Sequence, residues 1–258
     1  MKKSSYLIIL LVIAAIGLSA ILPIIIVDKK QDLKTGVPIS TAIDGDSSPI
    51  REIAITTKDS GLIFTDLFKR LEIAVADSIP APIVTVDSAF CQFITPVLSG
   101  GRLQLQISSN GKTITMISVR KRAVIQLSLP VSCISDITSP FEQLEINGLD
   151  TPALRISGGR KLLMGNCNVS DISIFADADI KIKLSECHLN HASINMNGHS
   201  ARISCDTTSL IHYLNLINQS DSKTELNLYE ANVDTARWVR NGSGKLTLRL
   251  KNPITIIK

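Results

Sequence analysis

The sequence predicts an all-β protein: a parallel β-helix (solenoid) body with an irregular N-terminal β region, preceded by a single N-terminal transmembrane helix. Three observations predict this class. The chain opens with a long uncharged segment, its second half contains a short internal repeat, and it is rich in β-branched side chains. Of the 258 residues, 45% are hydrophobic but only 4% are aromatic. Aliphatic side chains must therefore form the core, and isoleucine favours strands.

The N-terminal segment, residues 1–28, is predicted to be a transmembrane anchor or signal segment. After Met1-Lys2-Lys3, residues 6–27 carry no charge, and this stretch is long enough to span a bilayer as a helix. A cleavable signal peptide has a shorter apolar stretch. Leu18-Ser19-Ala20 could serve as a cleavage site, but the apolar run continues beyond it. An uncleaved anchor is therefore favoured, with the body exported to the periplasm or the cell surface.

Residues 29–66 are predicted to form a linker, because charge, Gly, Pro and Ser mix there without sustained periodicity. A few extended residues are expected where Ile53 and Ile55 alternate with other residues. The β-helix domain is predicted to cover residues 67–258.

The second half contains an internal repeat at nearly constant intervals, of which the third is the longest. Each repeat begins with an apolar pair, and these pairs are Leu162-x-Met164, Ile182-x-Leu184, Ile203-x-Cys205, Leu226-x-Leu228 and Leu246-x-Leu248. One such repeat cannot bury its apolar face alone, so equivalent strands are expected to stack in parallel as coils of a solenoid. A β-sandwich, which also consists of many short strands, is the competing fold.

Alternation within the repeats distinguishes inward from outward positions. Lys181 and Lys183 flank Ile182 and Leu184, which is the period-2 pattern of a strand with one buried face. Asn and Gly residues such as Asn166 lie between the strands, and these types tolerate left-handed turns. Cys167 and Cys187 are expected to stack inside the core, either as small buried side chains or close enough for a disulfide.

The first half of the body has less regular strand-like runs. Ser109-Asn110-Gly111 is a hairpin-turn signal between two of these runs, and several prolines interrupt the segment. This part is expected either to enter the solenoid or to cap one end of it.

The layout resembles a known family. The stretches that carry the resemblance are LFKRLEIAV at 67–75, VLSGGRLQLQIS at 97–108, and the coils from FEQLEING at 141–148 to SGKLTLRL at 243–250. In this arrangement the chain is similar to the auto-transporter adhesin head domain, or GIN domain, of exported Bacteroidetes proteins. The resemblance implies an N-terminal export or membrane segment, a strand region with a hairpin, and a parallel β-helix. The family name suggests adhesion, and the resemblance implies no catalytic residues.

Sequence motifs for catalysis or cofactor binding are absent: there is no HExxH, GxSxG or phosphate-binding loop. The four histidines, His188, His191, His199 and His212, lack a recognisable ligand spacing and are interpreted as surface or corner residues. A calcium site at Asp171, Asp177 and Asp179 is the alternative to a solvated turn. The net charge of +4 is mild, and no basic stripe with stacking aromatics indicates nucleic-acid binding. Hence no catalytic, cofactor or metal site is predicted.

The sequence thus favours a non-enzymatic, membrane-anchored envelope protein whose β-helix surface binds an envelope or host polymer or protein. The predicted partners are the membrane, through the N-terminal helix, and a polysaccharide or envelope protein. The candidate binding face comprises the outward basic residues Lys181, Lys183, Arg202 and Arg249. Two alternatives stay open: a carbohydrate-active β-helix enzyme, and a structural spacer that self-assembles through the apolar segment 254–257.

Overall fold

A computed structural model describes residues 36–45, 48–58, 68–108, 123–131, 133–218, 224–240, 246–250 and 255–257. The predicted anchor and the predicted turn at 109–111 lie outside these residues. Within the described ranges, no helix has the length and apolar character needed to cross a membrane. The described part is all-β, with one 3-10 turn at Cys91–Phe93.

The strands of the described residues form two sheets of ten strands each. In chain order the strands are β1 Pro38–Ala42, β2 Glu52–Thr57, β3 Phe68–Val75, β4 Ile83–Asp87, β5 Ile94–Ser99, β6 Arg102–Ile107, β7 Ala123–Leu129, β8 Asp136–Thr138, β9 Gln143–Asn147, β10 Asp150–Ser157, β11 Lys161–Gly165, β12 Asn168–Ala176, β13 Ile180–Ser185, β14 His188–Met196, β15 Ser200–Cys205, β16 Leu210–Asn218, β17 Thr224–Glu230, β18 Val233–Arg240, β19 Leu246–Leu250 and β20 Thr255–Ile257. Sheet A runs β1-β4-β7-β3-β9-β11-β13-β15-β17-β19, and sheet B runs β20-β18-β16-β14-β12-β10-β8-β2-β6-β5.

From β8 onward the chain alternates between the two sheets, and each strand pairs in parallel with the next strand of its own sheet. This is the predicted parallel β-solenoid, and it excludes the β-sandwich. Leu162, Ile182 and Ile203 lie side by side on β11, β13 and β15, and all three are buried. The inward rows of both sheets merge into one continuous hydrophobic core. Stacking of the coils therefore buries the apolar side chains that a single coil would expose to solvent.

The repeat keeps its predicted register only as far as β15. Leu226 lies beside Ala201 rather than beside Ile203, the register shifts again between Arg202 and Ser204, and Leu226 pairs with Leu248 on the next strand. The inward and outward sets keep their faces, because Ala201 and Ile203 both point inward. The longer interval between the repeats that begin at Ile203 and Leu226 marks where the slip occurs.

One corner of the solenoid is built from stacked left-handed residues. Gly148, Asn166 and Glu186 have φ values of 76°, 50° and 55°. The amide of Gly148 donates to the carbonyl of Gly165 at 3.0 Å, and that of Asn166 donates to Ser185 at 2.9 Å. Successive turns are therefore hydrogen-bonded to one another, as the strands are. Asn166 takes the left-handed role that its residue type predicts.

The N-terminal region enters the solenoid in an interleaved order. In sheet A, β3 lies between β7 and β9, and in sheet B, β2 lies between β6 and β8. Antiparallel strands occupy the edges beyond: β1 and β4 in sheet A, and β5 in sheet B. The β5–β6 hairpin turns at Gly100 and Gly101, with φ values of 59° and 75°. Both expectations for this region are therefore met by different strands. Strands β3, β6 and β7 enter the solenoid, and the antiparallel strands β4 and β5 lie towards its end.

The predicted linker, residues 29–66, contains β1 and β2. The extended stretch expected at Ile53 and Ile55 is confirmed, and both side chains are buried in the core. Local composition gave little indication of this burial, because β2 pairs with β6 and β8, which are both distant from it in the sequence. The domain limits at residues 28 and 67 remain a prediction.

Candidate functional site

The outer face of sheet A carries a row of cations on three adjacent strands. In the parallel register Lys161 on β11 lies beside Lys181 on β13, which lies beside Arg202 on β15. Lys183 lies two positions further along β13, on the same face. We call the cleft around them the basic groove; it is lined by Lys161, Leu163, Lys181, Ile182, Lys183, Arg202, Ser204 and Glu230, and has a volume of about 390 Å³.

Because side chains alternate between the two faces of a strand, these cations point away from the core. Ile180, Ile182 and Leu184 on β13 are buried, whereas Lys181 and Lys183 between them are exposed. The inward side chains pack in the core, so neither lysine can turn inward without burying an unpaired charge. The groove is therefore held by a rigid sheet rather than by loops.

The groove carries an uncompensated positive charge. Among the described residues, no carboxylate lies within 4.0 Å of the ammonium of Lys161, Lys181 or Lys183. Arg202 contacts Glu230 at 3.7 Å, and both of these side chains are more than half exposed. An exposed pair of this kind contributes little and leaves the guanidinium open to a ligand. Four cations thus face a single carboxylate.

Both flanks of the groove are neutralised. On the β3 and β9 side, Arg70 bridges Glu72 and Glu145, the latter at 3.5 Å. On the other side, Arg249 contacts Glu225 at 2.8 Å. These two arginines therefore add little free positive charge beside β11, β13 and β15.

The structure brings three of the four predicted binding residues together in the groove: Lys181, Lys183 and Arg202. Arg249 occupies the same row, beyond Asn227, but its guanidinium is engaged by Glu225. Sequence reasoning missed Lys161. The signal was present, because Lys161 precedes Leu162 just as Lys181 precedes Ile182 in the next repeat.

Sheet B places three of the four histidines on or near its outer face. His191 contacts Asp171 at 3.3 Å, and its ring lies 5.9 Å from that of Tyr213. His212 Nδ1 lies 2.8 Å from Asp234 Oδ2. These are separate exposed pairs on neighbouring strands. In the part of the chain that the structure describes, no three His, Cys, Asp or Glu side chains converge as metal ligands would.

The aspartates considered for calcium have different surroundings. Asp171 pairs with His191, whereas Asp179 Oδ1 accepts hydrogen bonds from the amides of His199 at 2.6 Å and Ser200 at 2.9 Å. The hydrogen bond from the Ser200 amide is the main cause that lowers the pKa of Asp179. Asp179 thus ties one coil corner to the next, which is a structural task.

Neighbouring carboxylates, which a hydrolase would need, are tied to arginines. Glu72 lies beside Glu145 in the register, and both contact Arg70. Glu52 and Asp136 are also neighbours, and each contacts an arginine: Arg102 at 3.0 Å and Arg155 at 3.9 Å respectively.

Cys167 and Cys187 stack inside the core as predicted, and both are free thiols. The neighbouring Cys187 thiol, and then burial, raise the pKa of the Cys167 thiol. Cys167 also donates to the carbonyl of Gly165 at 3.1 Å, and Cys187 donates to that of Ser185 at 3.2 Å. Both side chains are at most 2% exposed, so they act here as small core residues.

Two other clefts have less uniform chemistry. One, of about 520 Å³ at a corner between the sheets, mixes Arg160 with Glu142 and Asp177. The other, of about 480 Å³ near β1 and β5, is lined mainly by proline and aliphatic residues. The basic groove differs from both because its charge is predominantly of one sign.

The chain is similar to solved bacterial structures of low sequence identity. It aligns with a "putative adhesin" from Bacteroides fragilis at 10% identity, over 86% of this chain and 96% of that one, with a TM-score of 0.49. A "putative lipid binding protein" from Parabacteroides distasonis aligns at 16% identity over 86% and 98%, with a TM-score of 0.45. A "putative cell adhesion protein" from Clostridium sporogenes aligns at 9% identity over 83% and 99%, with a TM-score of 0.30.

The resemblance seen in the sequence pointed to adhesins of Bacteroidetes, and the Bacteroides fragilis structure among these neighbours carries that name. None of the three structures described above carries the name of an enzyme. No family model matches the sequence, and the search of curated proteins gives no match.

Proposed function

We propose that this chain is a non-enzymatic, adhesin-like binding protein of the cell envelope whose basic groove holds an acidic polymer. Residues 6–27 anchor it in the membrane, and the solenoid is exported. The observation that carries the proposal is the cluster of Lys161, Lys181 and Lys183, whose ammonium groups lack a carboxylate partner among the described residues. Aligned cations on a rigid sheet complement a polyanion and attract it over a distance set by the salt concentration.

The charge pattern around the groove supports a binding role over a purely structural one. Carboxylates pair with Arg70 and Arg249 at the flanks, whereas Lys161, Lys181 and Lys183 between them have no carboxylate partner among the described residues. A structural spacer gains nothing from like charges on adjacent strands, because they repel one another. A ligand that pairs with them removes this cost.

A retention experiment tests the proposal. The full-length chain, kept in a neutral detergent, is passed over immobilised polygalacturonate and over immobilised dextran. We expect retention on the acidic polymer, elution by salt, and passage through the neutral one. The double variant Lys181→Glu/Lys183→Glu should lose retention. Lys58→Glu/Arg237→Glu, which makes the same charge change at exposed sites along sheet B, should keep it.

Equal retention of the two double variants would show that net charge rather than the groove holds the polymer, and would overturn the proposal. Failure of the unmodified chain to bind would do the same. Release of shortened oligosaccharides from polygalacturonate would contradict the non-enzymatic part and direct attention to the carboxylates of sheets A and B.

A further inference from the structure

The cations of the basic groove recur once per coil. Lys161, Lys181 and Arg202 occupy the same register position on three consecutive parallel strands of sheet A. Neighbouring strands lie about 4.8 Å apart, and side chains at equivalent positions stand in a row across them. A linear ligand that lies along the solenoid axis, across the strands, therefore meets one cation in every coil.

The row has defined ends. The next position on the β9 side is Gln143, and the next on the β17 side is Asn227, so an uncharged amide follows the cations in each direction. The following positions are Arg70 and Arg249, which are paired with carboxylates. Three consecutive cations thus stand between neutral residues.

The second row of the groove suits a carbohydrate. Beside the three cations run Leu163, Lys183 and Ser204, which offer an aliphatic surface, one further ammonium and a hydroxyl. None of the described residues that line the groove is aromatic, and single-stranded nucleic acids depend on aromatic stacking. The strands beneath are hydrogen-bonded on both sides, so a peptide cannot bind there as an added strand.

Building on the proposed function, we infer that the basic groove recognises three consecutive anionic groups of a linear acidic polysaccharide that carries one carboxylate on every sugar. The polysaccharide lies along the solenoid axis and pairs one carboxylate with each of Lys161, Lys181 and Arg202. Lys183 reinforces the central position. Charge complementarity and the one-cation-per-coil spacing select this ligand over chains whose charges are further apart.

The affinity of the full-length chain for oligosaccharides of defined length tests this inference. Galacturonate oligomers from the monomer to the hexamer carry a carboxylate on every sugar, and hyaluronan oligomers carry one on every second sugar. We expect the affinity for oligogalacturonate to rise about fivefold with each sugar up to the third, as for one exposed ion pair, and then to level off. Hyaluronan oligomers with three carboxylates should bind about fivefold more weakly than trigalacturonate, because two of their carboxylates can meet Lys161 and Arg202 while the third misses a cation.

A variant series locates the row. Lys161→Gln should move the plateau from three sugars to two, whereas Lys58→Gln at an exposed site beside sheet B should leave it at three. Affinity that keeps rising beyond three sugars, or equal binding of the two oligomer types, would overturn the three-position row while leaving acidic-polymer binding intact. Absence of binding to every acidic oligomer would overturn the proposed function as well.

Discussion

At the scale of single residues, Asp206 shows how one side chain holds a coil corner. Its Oδ2 accepts hydrogen bonds from the Ser185 hydroxyl at 2.8 Å and the Glu186 amide at 3.0 Å. Its Oδ1 accepts from the hydroxyls and amides of Thr208 and Ser209, at 2.6–3.2 Å. These bonds, the one from the Ser209 hydroxyl most of all, hold the pKa of Asp206 well below its ordinary value of 3.8. Donors from two successive coils thus converge on one carboxylate.

Replacing Asp206 with Asn should lower the melting temperature at pH 7, because an amide offers one acceptor oxygen where the carboxylate offers two charged ones. The folded-state pKa lies below the unfolded one, so this stabilisation is present above about pH 4 and is lost as the pH falls through the folded value. The difference in melting temperature between wild type and Asp206→Asn should therefore shrink between pH 4 and pH 2. Asp177→Asn, at an exposed corner position, provides the control. A difference that is independent of pH would contradict the charged role of Asp206.

Gly158 illustrates a backbone requirement at the opposite corner. Its φ is 92°, and a Cβ there would lie 2.1 Å from the carbonyl oxygen of Ser139 in the preceding coil. Gly158→Ala should therefore destabilise the protein by about 1–3 kcal/mol, the usual range for one strained residue. Gly165→Ala is the matched control, since its Cβ would meet only the side chain of Asn147, at 3.1 Å. Urea unfolding of both variants measures the difference, and equal midpoints would be evidence against the strain.

Some residue roles were readable from the sequence and others were not. Asn166 was predicted as a turn residue because its type tolerates positive φ, and its φ is 50°. Glu186 has the same conformation without such a preference, at a corner where its amide donates to Asp206 Oδ2 at 3.0 Å. The cations on the outer face of sheet A were predictable as outward residues. Their ion pairs were not, because the arginines meet Glu225 and Glu230 only across neighbouring coils.

At the scale of elements, the alternation of apolar and polar residues along each strand allowed its inward and outward faces to be predicted. Strands β11, β13 and β15 follow the alternation closely, and their inward and outward faces are as expected. The register of β17 leaves no mark in that pattern, because Leu226 lies beside Ala201, two positions from Ile203, and a slip by an even number of positions preserves the faces. Strands β1 and β2 escaped prediction as parts of the sheets, since each is short and pairs with distant segments.

Strand β13 provides the test of inward packing. Leu184 is fully buried between Met164 and Cys205, whereas Lys183 on the same strand points outward. Leu184→Asp should cost about 3–5 kcal/mol, because it removes packed methyl groups and buries a charge without a partner. Lys183→Asp should change the free energy of unfolding by less than about 0.5 kcal/mol, as for an ordinary surface substitution. Urea titration measures both, and similar losses in the two variants would contradict the assignment of faces.

At the scale of the whole molecule, the two halves of the solenoid are connected differently. From β11 onward each coil contacts the coil before it and the coil after it in the chain. In the N-terminal half, β2 lies between β6 and β8, and β3 lies between β7 and β9. Separating β3 there breaks contacts with two strands that are both remote from it in the sequence. The repeat pattern predicted the first arrangement, whereas nothing local in the sequence specifies the second.

This difference predicts a gradient of local stability, measurable by native-state hydrogen exchange. Coils that contact only their neighbours can open one after another, so protection should fall from β11 towards β17. Strands β2, β3 and β9 should exchange most slowly, because they open only when remote partners are released. Leu184→Asp should speed exchange in β13 and its neighbours β11 and β15 while leaving β2 and β3 protected. Uniform acceleration across all these strands would instead mean that the solenoid unfolds as one cooperative unit, with the interleaved strands stabilising every coil equally.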